Sequence, residues 1–93
     1  MEVAIIERET AGYAIARENK KRAGAMTYSI AGAELIIIDH TEVEPEYKGK
    51  SVGKAMLYKI VEMARGKNIK IIPLCPFAAA MFKSQDDIKD VLK

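Results

Sequence analysis

The chain has 93 residues, 49% of them hydrophobic and 30% charged, with a formal net charge of +2. That length and composition imply a single folded domain over residues 1–93 with a modest core, and exclude a disordered chain. So small a charge, no bilayer-length apolar run, no basic-then-apolar N-terminal signal and a single cysteine argue against nucleic-acid, membrane and disulfide-dependent roles. The cytoplasm is the expected compartment, and no metal site is expected.

In chain order, Val3 to Glu7 and Gly12 to Arg17 read as short strands. Gly24 to Ile30 follows, with Met26, Tyr28 and Ile30 on one face and Ala25, Thr27 and Ser29 on the other. The basic stretch RENKKR between them reads as a solvated hairpin turn, and Ala31-Gly32 as a tight turn. Glu34 to Val43 is a fourth strand. Its unbroken LIII predicts burial on both faces and an internal place in the sheet. On period-two spacing His40 would share a face with Ile36 and Ile38.

From Ser51 to Arg65 the period turns helical, with Val52, Met56, Ile60, Met63 and Ala64 as the apolar stripe and Lys54, Tyr58 and Glu62 away from it. Gly66 is expected to close this helix as the residue just past its end. Ile69 to Leu74 is a fifth strand, stopped by Pro73 and Pro76. Phe77 to Lys83 is a short helix, and Ile88 to Leu92 a last helical turn. The predicted class is α+β: a mixed, mostly antiparallel sheet of about five strands, one main helix after the fourth strand and short C-terminal helices.

The segment from Ile36 to Arg65 carries the chemistry. A strand ends, a loop YKGKSVG follows, and an amphipathic helix begins. Unpaired amides of a first helical turn, glycines that let backbone come close, and Lys48, Lys50 and Lys54 together suit a phosphate-bearing ligand. The plainer reading is a strand-to-helix turn with solvated lysines. For His40 two readings stand, a hydrogen-bonded core histidine and a general base, since imidazole as a class changes charge near neutral pH. For Cys75 they are a small buried hydrophobe and a reactive thiol. Tyr47 and Tyr58 are possible ligand contacts. Glu42, Glu44 and Glu46 either attract a cationic amine or are simply solvated.

DHTEVEPEYKGKSVGKAML resembles the acyl-CoA pyrophosphate loop of the GNAT acetyltransferases, which reads Gln/Arg-x-x-Gly-x-Gly/Ala after the fourth strand. The matching residues are Lys48, Gly49, Lys50, Ser51, Val52 and Gly53. Lys48 stands for the usual Gln or Arg, and Ser51 for the first motif glycine, which narrows the space for a pyrophosphate. The wider pattern IDHTEV…G…VG…L…A…IKIIPLCPFA…M is similar to compact, single-domain GNAT-like proteins. Those carry a His in the fourth strand and a Cys after the fifth, and lack helices between the first two strands.

The resemblance implies acetyl-CoA as co-substrate, bound where the fourth and fifth strands splay apart. Thr41, Glu42 and Val43 would flank the pantetheine arm. Lys48, Gly49, Lys50, Ser51, Val52, Gly53 and Lys54 would hold the pyrophosphate, with Pro76 and the segment from Phe77 to Phe82 on the far side of the groove. It further implies N-acetyl transfer to an amine, on a small molecule or a protein. His40 would act as general base and Cys75 as proton donor to the departing thiolate or as nucleophile. Two other functions compete: an acyl-CoA-binding module with little turnover, and an adaptor that uses the lysine loop for phosphates.

Overall fold

The computed structural model describes all 93 residues. Strands β1 (Glu2–Glu7), β2 (Ala11–Glu18), β3 (Lys21–Ile30) and β4 (Leu35–Val43) are followed by a 3-10 turn at Pro45–Tyr47 and helix α1 (Val52–Lys67). Strand β5 (Lys70–Pro73), helix α2 (Pro76–Ser84) and a second 3-10 segment (Asp86–Val91) complete the chain. The sheet order is β1-β2-β3-β4-β5; the first three pairings are antiparallel and β4–β5 is parallel. The α+β class read from the sequence is the class observed.

Local chemistry explains most boundaries. Asn19 and Lys20, with φ of 52° and 67°, form a two-residue turn between β2 and β3, and both central residues of such a hairpin need positive φ. The flanking strands consequently run further into RENKKR than expected. Lys21 and Arg22 belong to β3 and form surface ion pairs with glutamates. Helix α1 continues through Gly66 and stops at Asn68, which holds φ 57° and donates its amide to the carbonyls of Ala64 and Arg65. The expected stop at Gly66 is thus two residues early, because an asparagine tolerates the left-handed conformation nearly as well as glycine.

One core cluster of 21 buried apolar residues lies between the sheet and the helices. From the sheet come Ala14, Ala16, Met26, Tyr28, Ile36, Ile38 and Ile71; from α1 come Val52, Met56, Leu57, Ile60, Val61 and Ala64. Leu57 and Val61 widen the stripe beyond the expected residues, while Met63 is only half-buried. Ala78 and Phe82 of α2 and Ile88 and Val91 complete the same cluster. Small residues on β2 make room for large ones on β3: a Cβ at Gly12 would stand 2.5 Å from the Tyr28 ring. Tyr28 passes over that gap and donates its hydroxyl to Glu7 at 2.8 Å. Burial, with help from Glu7, pushes the phenol well above its ordinary value.

The other face of the sheet carries no helix. Tyr13, Ile15, Ala25, Thr27, Leu35 and Ile37 alternate with the buried residues and are half-exposed. The expectation that β4 is buried on both faces therefore fails for Leu35 and Ile37. The strand is internal, as expected, but the sheet has a single covered face.

Candidate functional site

Two backbone irregularities create the site. The first is a bulge in β4. Tyr28 pairs with Ile38 but Thr27 pairs with His40, so Asp39 is an extra residue between them. An inserted residue shifts the alternation by one. Ile36 and Ile38 point into the core, yet His40 does not share their face. It stands opposite Thr27 on the open face and is exposed, while Thr41, opposite the fully buried Met26, takes the helix side. The reading of His40 as a core histidine is overturned for this reason.

The second is the early end of β5. Its pairing with β4 covers only Leu35 to Ile38, after which the amides of Leu74 and Cys75 both turn to the Ile38 carbonyl. Pro73 and Pro76 remove two backbone donors there and prevent the strand from continuing. From Asp39 to Val43, β4 is paired with β3 alone, and its other edge faces a groove of 810 Å³.

The groove is lined by His40, Thr41, Glu42 and Val43 on β4, by Tyr47, Lys48, Gly49, Ser51, Val52, Gly53 and Lys54 at the loop and helix start, and by Phe77 and Met81 of α2. Of the residues assigned to catalysis or acyl-CoA binding from the sequence, Lys50, Cys75 and Pro76 lie outside that lining, as do Glu44 and Glu46. Of the segment Phe77 to Phe82 only Phe77 and Met81, four residues apart on one helical face, line the groove, while Ala78 and Phe82 turn into the core. Tyr47 is buried at 9% exposure and forms part of the wall. Tyr58 lies away from the groove and donates to Asp87 at 2.9 Å.

At the start of α1 the amides of Gly49, Ser51, Val52, Gly53 and Lys54 donate to no backbone carbonyl or side chain, and all five residues line the groove. The first intrahelical bond there runs from Ala55 to the Ser51 carbonyl. Gly49 has φ 81° and Ser51 has φ 61°. The serine thus holds a left-handed conformation that suits glycine, and its hydroxyl caps nothing. Gly53 gives the Phe77 ring its place: a Cβ there would lie 2.6 Å from that ring, which packs over the first turn of α1, so the ring would have to move.

The charges around the groove divide sharply. Lys48, Lys50 and Lys54 form no ion pair with any carboxylate; Lys50 lies over the Tyr47 ring and Lys54 over Tyr58, at 5.8 and 5.5 Å from the centroids. The glutamates of the 42–46 run, in contrast, are all engaged. Arg22 bridges Glu42, at 2.7 Å, and Glu44, while Lys21 holds Glu46 at 2.7 Å. The hydrogen bond and charge of Arg22 keep Glu42 below its ordinary value. These three carboxylates are solvent-accessible, as one of the two readings expects, but each also has a cationic partner on β3. They lock β3 to the end of β4.

Cys75 is 5% exposed and sits at the N-terminus of α2. Its sulfur accepts from the Ala78 amide at 3.4 Å and lies 3.1 Å from the Thr41 hydroxyl. Since Thr41 and His40 occupy opposite faces of β4, the thiol and the imidazole stand on opposite sides of the sheet and make no dyad.

An open strand edge leading to free amides and three free lysines is geometry that known proteins can be compared with. The model of the GCN5-related N-acetyl-transferase family matches residues 12–91. A GCN5-like protein from Staphylococcus aureus, solved in solution by NMR, is 37% identical over 97% of this chain and 87% of its own, with a TM-score of 0.72. The ribosomal-protein-S18-alanine N-acetyltransferase from Escherichia coli is 16% identical over 84% of this chain and 53% of its own, with a TM-score of 0.71. A protein in complex with the bisubstrate analogue CoA-S-monomethyl-acetylneamine is 12% identical over 87% of this chain and 62% of its own, at a TM-score of 0.61. The last two likenesses establish the fold alone. Comparison with curated protein sequences yields no match. With most of its length under one family model and 37% identity to a solved relative across nearly the whole chain, the chain belongs to the GCN5-related N-acetyltransferase family.

Proposed function

We propose that residues 1–93 form one acyl-CoA-binding domain that transfers an acetyl group from acetyl-CoA to an amine. The observation that carries this reading is the set of five unpaired amides at the start of α1, flanked by three carboxylate-free lysines and reached along the open edge of β4. Amides and helix dipole supply hydrogen bonds and positive potential for a pyrophosphate. Extended backbone from Thr41 to Val43 offers the peptide-like pantetheine arm a strand partner. The 810 Å³ groove has the size of a small-molecule site. The one poor fit is Ser51, whose Cβ and hydroxyl stand where the backbone must come closest to the phosphates.

In the proposed transfer the thioester carbonyl lies beside His40 and Thr41, with a β4 amide as polarising donor. The amine nitrogen forms the new bond to the carbonyl carbon as the C–S bond breaks. His40, on the open face, takes the proton the amine loses. Cys75, buried behind Thr41 and outside the groove lining, would supply the proton for the departing thiolate through the Thr41 hydroxyl, 3.1 Å from its sulfur, and regain it by the same route from solvent. Direct transfer is favoured over a covalent route because the thiol is buried and already engaged by Thr41 and Ala78. The free thiol also suits a reducing compartment, which supports the cytoplasm as the place of work.

A second reading, acyl-CoA binding with little turnover, is favoured by the separation of His40 and Cys75 across the sheet. The experiment is a melting series with acetyl-CoA, CoA and ADP, since a ligand that binds the native state raises the transition temperature. Thiol release from acetyl-CoA across an amine panel follows, with His40→Ala and Cys75→Ala as controls. No melting shift at millimolar CoA sinks both readings. A shift without thiol release leaves the binding module. A Cys75-dependent mass gain of one acetyl group from acetyl-CoA alone replaces direct transfer by the covalent route.

A further inference from the structure

The open face of the sheet has a composition that the transfer reading does not use. Ile6, Tyr13, Thr27 and His40 are cross-strand neighbours in one row from β1 to β4. Ile15 and Ala25 lie beside them in the next row, and none of these apolar residues packs against the core. Ile6 is 38% exposed. A hollow of 200 Å³ at the β1–β2 end of the sheet has Ile6, Arg8, Tyr13, Thr27 and Asp39 in its lining, next to the buried Tyr28, and His40 stands outside it, one residue from Asp39. An apolar cavity of about 150 Å³ accepts one benzene ring, so this hollow has room for a single ring. Strands spaced about 4.8 Å apart put the Tyr13 and His40 backbones about 10 Å apart, a gap that a ring carrying a two-carbon amine arm spans with the reach of the two side chains.

Charge decides what kind of amine. A polycation needs unpaired carboxylates, and this face offers none in a cluster. Glu42, Glu44 and Glu46 are held by Arg22 and Lys21. Asp39 accepts from Ser29 at 2.6 Å and shares the lining of the hollow with Arg8. Glu2 is the register partner of Arg17. A single ammonium or amine beside His40 and Asp39 is matched by this layout; a row of them is not.

We propose that the acceptor is a monoamine on an apolar, ring-sized body, docked on the open face with its ring in the hollow at Tyr13 and its nitrogen at His40. The role of acceptor rests on the acetyl-transfer reading, whereas the docking itself does not. The test is titration of the ¹⁵N-labelled full chain with 2-phenylethylamine and, separately, with spermidine. The expected result is displacement of the Ile6, Tyr13, Thr27 and His40 amide signals by 2-phenylethylamine. Its affinity should be at least about tenfold above that of spermidine, the scale of one buried methylene. Tyr13→Ala weakens it, and Ile6→Glu at the exposed edge serves as a second variant if the first unfolds.

Equal or tighter binding of spermidine overturns the proposal. So does displacement confined to the CoA groove, or no displacement on this face up to about 10 mM amine. The melting shift with acetyl-CoA is measured on the same sample. If it is absent while the amine still docks at Tyr13, the acetyl-transfer reading falls and the docking site stands.

Discussion

Ser51→Gly is a substitution whose sign follows from one dihedral angle. Ser51 holds φ 61° and ψ 27° at the entrance to α1 and makes no side-chain cap bond, so the side chain contributes nothing that offsets its conformation. A left-handed residue with a Cβ costs about 1–2 kcal/mol. Glycine returns roughly 0.5–1 kcal/mol of that to the freedom of the unfolded chain. The net gain is about 0.5 kcal/mol, which for a domain of this size raises the melting temperature by about 2–4 °C. Ser51→Val, β-branched at the same φ, moves the other way and loses more than about 1 kcal/mol. The assay is a calorimetric or circular-dichroism melt of all three proteins, with and without CoA. The CoA-induced rise is expected to be larger for Ser51→Gly, because the loss of Cβ lets the loop amides come closer to a pyrophosphate. A glycine variant that melts below the parent, or a valine variant that equals it, would refute the strain argument. A smaller CoA response in the glycine variant would refute the placement of the pyrophosphate.

Three further predictions use other parts of the structure. At Gly24 an added Cβ would sit 2.6 Å from the Glu42 carbonyl and 3.3 Å from the Val43 Cα; neither can yield, so Gly24→Ala should cost about 1–3 kcal/mol in urea unfolding. Gly53→Ala meets only the Phe77 ring, which is 37% exposed and free to swing. Its stability should stay within about 1 kcal/mol of the parent, given alanine's better helix propensity, while its CoA-induced melting shift falls and is restored in the Gly53→Ala, Phe77→Ala double variant. Glu7 is held below its ordinary value near 4.5 by hydrogen bonds from Lys67 and then Tyr28. A depressed carboxylate contributes stability that is complete above the ordinary value and is lost as pH falls through the folded one. Between about pH 6 and pH 3 the parent's melting temperature should therefore drop more steeply than that of Glu7→Gln. Parallel slopes would show that Glu7 adds nothing to acid stability.

The residues at the loop show how far local pattern reaches. The strand-to-helix order, the glycines at 49 and 53 and the lysines at 48, 50 and 54 are contiguous in the chain, and contiguity alone brings them together in space. The resemblance to acyl-CoA loops was visible for the same reason. The stop at Asn68 was missed because glycine at 66 is the stronger local signal, and an asparagine two residues on satisfies the same requirement. Leu57 and Val61 were left off the apolar stripe because its width depends on how much sheet and C-terminal segment press on α1.

Sequence alone determined the class of the fold, the order of its elements and the position of the glycine- and lysine-bearing loop, since period, turn chemistry and helix start signals act within a few residues of chain. Tertiary structure alone decided where His40 and Cys75 point. The extra residue at Asp39 is defined only by the partner strand against which β4 is counted, and it reverses the face of every residue after it. The same holds for Glu42, Glu44 and Glu46, whose neutralisation requires Arg22 and Lys21 from another strand. Alternation along a strand can be read from its own residues; the register that gives that alternation a direction belongs to the pair of strands.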